Sequence, residues 1–105
     1  MNNIALTEAT YYILLSLYTQ GHGYGIMQRT EQMSGGRVKL AAGTLYGALS
    51  ALCDKGWISM LPVENDSRKK EYKLTDKGLT VLQGELERLR SLVANGESVL
   101  MEESK

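Results

Sequence analysis

The sequence predicts a mainly α-helical fold with a small β-hairpin and a long C-terminal helix. Three observations carry this reading. Apolar residues recur at helical spacing in three short blocks ahead of Gly56, and a strand-like pair flanks a charged turn between Trp57 and Leu74. From Leu79 onward, apolar residues step by three and four as far as Val93. With 105 residues, 43% hydrophobic and 23% charged, the chain suits one compact unit with an ordinary core.

Thr7 is placed to cap the first helix, with Glu8 at its positive end and Leu6 and Tyr11 at hydrophobic-staple positions. Ile13, Leu14, Leu17 and Tyr18 then share one face, and Gly21-His22-Gly23 reads as the turn that stops the helix. A second helix is expected from Tyr24 to Met33, burying Met27 and Met33 and ending at Ser34-Gly35-Gly36. After the extended piece Arg37-Val38-Lys39-Leu40, a third helix is expected to open near Gly43-Thr44, with Thr44 as its cap. Leu45, Leu49 and Leu52 form its stripe, and Lys55-Gly56 closes it.

Trp57-Ile58-Ser59-Met60-Leu61 is strand-like, Pro62 to Arg68 is polar and turn-like, and Glu71-Tyr72-Lys73-Leu74 can be the returning strand. Thr75 caps a last helix whose seam is Leu79, Leu82, Leu86, Leu89, Val93 and Leu100, with Gly96 in the place of one member. Three helices and a hairpin in this order describe a winged helix-turn-helix, whose third helix enters the major groove while the hairpin reaches a neighbouring backbone. A final helix this long cannot bury its stripe on so small a core, so it is expected to pair with a second copy. Residues 1–78 are then a winged-helix DNA-binding domain and 79–105 a dimerization helix, together one compact unit.

Net charge is zero, but it is unevenly spread. Residues 23–78 hold nine Lys or Arg against six acids, whereas residues 79–105 hold three against five. Phosphate contact is therefore expected in the middle of the chain.

Four segments, in this order, closely resemble the PadR family of transcriptional regulators in its short form: Gly23-Tyr24-Gly25-Ile26; Gly43-Thr44-Leu45-Tyr46 with Leu49 and Leu52; Lys55-Gly56-Trp57-Ile58; and Arg68 to Gly78. The resemblance implies a dimeric repressor on a palindromic promoter site, often released by a small molecule. The family often has proline on either side of the Gly-Thr-Leu-Tyr motif; here Ala42 and Gly47 stand there, and Cys53 replaces a frequent acid.

The expected DNA contacts are Gly43 and Thr44 through the positive end of the third helix, and Tyr46 through a hydroxyl lying off the leucine stripe. Arg68, Lys69 and Lys70 join them at the wing, where three adjacent cations otherwise repel one another. Tyr24 reaches phosphate or packs, and Lys39 stands just before the third helix. Gly47, Ala48, Ser50 and Ala51 offer little for reading base edges, so specificity is expected to draw on DNA shape. His22 reads as a turn residue, and Trp57 as a packing residue more than a ligand contact.

One His, one Cys and scattered acids make no nucleophile, base or metal constellation, so no catalytic activity, metal or cofactor is expected. Cys53 has no disulfide partner. No apolar run reaches bilayer length and no signal-like segment follows Met1, so the cytoplasm is the expected compartment. Two further readings stay open: an apolar effector cavity between the last and first helices of the dimer, and a winged-helix protein-interaction module without DNA binding.

Overall fold

The computed structural model describes residues 5–62 and 70–103. Its elements run α1 (Glu8–Ser16), β1 (Gly21–His22), α2 (Gly23–Met33), α3 (Ala42–Asp54), β2 (Ile58–Met60), β3 (Glu71–Leu74) and α4 (Asp76–Glu103). The fold is mainly helical with a small antiparallel sheet, as the sequence predicts. Thr7 does cap α1, its side-chain oxygen accepting the Thr10 N–H.

The expected pairing of β2 with β3 is present, and a third strand joins it. The sheet order is β1-β3-β2, so β3 is central, with Gly21 opposite Tyr72, His22 opposite Glu71, and Ile58 opposite Leu74. Gly21-His22 is therefore a strand and not only a turn, because β3 offers a free edge that the chain leaving α1 can pair with. Leu74 N–H also donates to Leu17 O at 3.0 Å, tying the same edge to the end of α1.

The core is Ile13, Leu14 and Leu17 from α1, Ile26 from α2, and Leu45, Leu49 and Leu52 from α3, closed by Trp57, Ile58, Tyr72 and Leu82. Tyr18 follows the helical stripe in sequence, but α1 ends at Ser16 and its ring is 73% exposed. Met33, expected inside, is also exposed. Ile26 and Thr30 take the inward face of α2, while Met27 is only half-buried against the core.

α4 is joined to the core through a compact lock. Thr75 Oγ1 donates to Gly56 O at 2.6 Å and accepts the Gly78 N–H at 3.0 Å, capping the helix as expected. Thr75 N–H donates to Trp57 O at 3.0 Å, and Gly78 lies so close to that carbonyl that no β-carbon fits. Lys55 Nζ stands 5.0 Å from the centre of the Trp57 ring, over the same junction.

Two turns beyond Gly78, Glu85 is 2% exposed. Its carboxylate accepts Arg88 Nε at 2.6 Å and Nη2 at 2.8 Å, and the Leu6 N–H at 3.1 Å. Beyond this point α4 leaves the core, and its apolar residues Leu92, Val93 and Val99 are exposed.

Candidate nucleic-acid interface

The junction of β1 and α2 has glycine at every second position: Gly21, Gly23 and Gly25. Each lies beneath a large side chain. The Arg29 guanidinium covers Gly21 so closely that a β-carbon there would have to displace it, while at Gly25 its Nη2 would be in ordinary contact with a β-carbon, at 3.4 Å. The Tyr46 hydroxyl would stand 2.6 Å from a β-carbon at Gly23. The bare backbone at Gly21 and Gly23 lets these two groups rest on one short segment without displacement.

Arg29 is fixed by backbone carbonyls. Its Nη1 donates to Ser16 O at 2.7 Å and Thr19 O at 3.4 Å, and its Nε to Gly25 O at 3.3 Å. These bonds fasten the end of α1 and the turn after it to α2, which holds β1 against the wing strand β3. Gln20 Nε2 adds a bond to Glu71 Oε2 at 3.2 Å along the same edge.

Between these parts lies an open cavity of ≈ 710 Å³, bounded by His22, Tyr24, Arg29, Tyr46, Lys70 and Glu71. Three sequence-predicted residues, Tyr24, Tyr46 and Lys70, are thus brought together, and both tyrosine rings are exposed at its rim. Behind Tyr46, burial pushes the Tyr72 hydroxyl above the usual phenol range, with smaller contributions from Cys53 and Tyr46. Burial, then Asp54, likewise raises the Cys53 thiol and keeps it protonated at neutral pH.

Lys39, Gly43 and Thr44 are exposed but lie outside this cavity. Thr44 is not the cap of α3: Ala41 holds that position, with no side-chain bond, and Thr44 is the third helical residue. Ala42 is its first helical residue, so the helix begins one residue before Gly43. The exposed side of α3 carries Gly43, Tyr46, Gly47 and Ser50, and β-carbons at Gly43 and Gly47 would meet nothing within 4 Å. Such a side admits close approach by a surface and leaves Tyr46 as its one large group. Arg68 and Lys69 lie outside the described residues.

The expected α4 seam divides. Leu82 belongs to the core of its own chain, and Leu79 and Leu89 are half-buried. Leu86, Val93 and Leu100 are exposed, joined by Leu92 and Val99, which the seam did not include. An α-helix turns away from a strict heptad line by about 20° per heptad, so one stripe cannot face one partner throughout.

Arg29 and His22 are the site residues that sequence reasoning missed. The alternation of glycine across residues 21–25 was the available signal, because close approach needs bare backbone on one side and a large side chain on the other. Among the described residues no group of His, Cys, Asp and Glu suits a metal ion, and no helix is long and apolar enough to cross a membrane.

The sequence model of the PadR-like family of transcriptional regulators matches residues 13–84. No curated protein matches the chain by sequence. Among solved structures, the chain is similar to a PadR family transcription regulator from Clostridium difficile, at 22% identity over 90% of this chain and 99% of that one, with a TM-score of 0.74. It is similar to RosR of H. salinarum at 25% identity, over 98% of this chain and 97% of that one, with a TM-score of 0.71. Bacillus subtilis PadR, solved in complex with operator DNA, is 29% identical over 73% of this chain and 45% of that one, with a TM-score of 0.63.

Proposed function

Because the chain belongs to the PadR-like family, whose members are transcriptional regulators and not enzymes, we propose that it is a cytoplasmic repressor binding a palindromic promoter site as a homodimer. The observation that carries this reading is the meeting of Tyr24, Tyr46 and Lys70 at one cavity beside the exposed side of α3. Residues 1–78 contact the duplex: α3 enters the major groove with Tyr46 and the N–H groups near Gly43 and Thr44 toward the backbone. Arg68, Lys69 and Lys70 reach phosphate from the wing, and Lys39 adds charge before α3. Residues 79–105 pair two copies through the distal part of α4, supported by the exposure of Leu86, Leu92, Val93 and Val99. A small apolar effector that releases DNA fits between α4 and α1 of the dimer.

Selection of duplexes from a random pool, followed by titration at rising salt, tests the proposal. One inverted-repeat site bound by two chains is expected, with log K falling linearly against log salt. Replacing Arg68, Lys69 and Lys70 by alanine lowers both affinity and slope. Recovery of no site, or binding indifferent to salt, removes the DNA reading. It leaves an interaction module, which the zero net charge and the small residues of α3 favour.

A further inference from the structure

We propose that Arg29 is a further phosphate-contacting residue of this surface, presenting Nη2 across the bare backbone of Gly21 to a phosphodiester of bound DNA. The inference rests on the DNA-binding reading above and adds to it a residue of α2 that neither the recognition helix nor the wing contains.

A guanidinium carries five N–H donors in a rigid planar fork and no acceptor. In Arg29, Nε and both Nη1 hydrogens are taken up by the carbonyls of Gly25, Ser16 and Thr19. Those bonds account fully for a bracing role between α1 and α2. They leave the two Nη2 hydrogens without a protein partner among the described residues, on a group whose charge no carboxylate within ion-pair distance neutralises.

Nη2 lies where the β-carbon of any residue other than glycine at position 21 would stand, and both Arg29 and Gly21 line the cavity. A side chain at Gly21 would displace or cover it. Lys70 faces the same space; Glu71 is the acid there, and its carboxylate accepts from Gln20, so cations outnumber anions. Because the fork is already held on one side by three carbonyls, it loses little freedom on gripping an anion with the other.

Binding of the full chain to a mixed-sequence duplex, titrated across a range of salt, tests the inference, with thermal unfolding recorded for every variant. Arg29→Met and Gly21→Ala are each expected to weaken binding severalfold and to make the slope of log K against log salt shallower by about one per bound chain. A bracing role alone leaves that slope unchanged. A folded Arg29→Met protein with the wild-type slope overturns the inference while leaving the DNA reading intact. If that variant does not fold, an unchanged slope in Gly21→Ala overturns it in its place. Failure of the wild type to bind the duplex removes the DNA reading and the inference together.

Discussion

The Tyr46 hydroxyl rests against Gly23: a β-carbon at Gly23 would stand 2.6 Å from the oxygen and 2.9 Å from the ring carbon that bears it. The contact joins the first residue of α2 to the exposed side of α3 and sets the direction of a half-exposed ring. Gly23→Ala therefore pushes the ring aside. Alanine gains about 0.5–1 kcal/mol of helix preference over glycine, which offsets the crowding, so stability is expected to change little. DNA affinity is expected to fall as far as in Tyr46→Ala, measured by fluorescence anisotropy beside a melting curve. Wild-type affinity in Gly23→Ala would falsify the placement of Tyr46 at the duplex.

Gly78→Ala has the opposite profile. Its β-carbon meets the Trp57 carbonyl, with the carbonyl carbon at 2.8 Å and Leu74 Cδ1 at 2.9 Å, and backbone cannot swing away as a side chain can. A loss of about 2–4 kcal/mol is expected, larger than any gain in helix propensity. Thr75→Val, which removes the cap and the bond to Gly56 O, is expected to cost about 1–2 kcal/mol. Both are read by urea unfolding, with the single tryptophan, Trp57, reporting directly on the junction.

Glu85 gives a pH dependence. The Arg88 hydrogen bonds, with the Leu6 N–H, hold its carboxyl below the ordinary value of 4.5, although burial opposes them. A depressed carboxyl contributes stability that is complete above the unfolded value and is lost as pH falls through the folded one. Glu85→Gln is therefore expected to melt about 5–10 °C lower than wild type at pH 7, and the difference is expected to narrow below pH 4.5. A constant difference across that window would show that Glu85 acts through packing alone.

Two substitutions on α4 separate folding from pairing. Leu82→Ala opens the core, where Leu82 is 6% exposed, and is expected to destabilise by about 2–4 kcal/mol. Val93→Glu falls on a 59% exposed position beyond the core. Its melting as a monomer is expected to be unaffected, while sedimentation shifts from two chains to one and operator affinity drops. A Val93→Glu protein that still sediments as a dimer places the contact elsewhere.

Much of this arrangement is legible in the order of residues because its causes are local. Thr7, Thr75 and Gly56 mark helix ends through their own side chain or backbone freedom, and the stripe Leu45-Leu49-Leu52 needs only helical periodicity to face inward. Tyr46 stands off that stripe for the same reason, so its exposure follows from spacing. Thr44 misled the reading of α3 because a good capping residue is equally tolerated inside the first turn, and the helix simply began earlier.

What required the folded chain was every relationship across elements. Gly21 and His22 became a strand because β3 stood open beside them; Arg29 became part of the site because Ser16, Thr19 and Gly21 were folded under it. Leu82 and Glu85 turned inward while Val93 stayed exposed, since the core reaches only the first turns of α4. Periodicity, caps and turn residues are properties of neighbours along the chain and can be read one segment at a time. Which segments meet is decided by the shared burial of their faces, and that term exists only when all of them are packed at once.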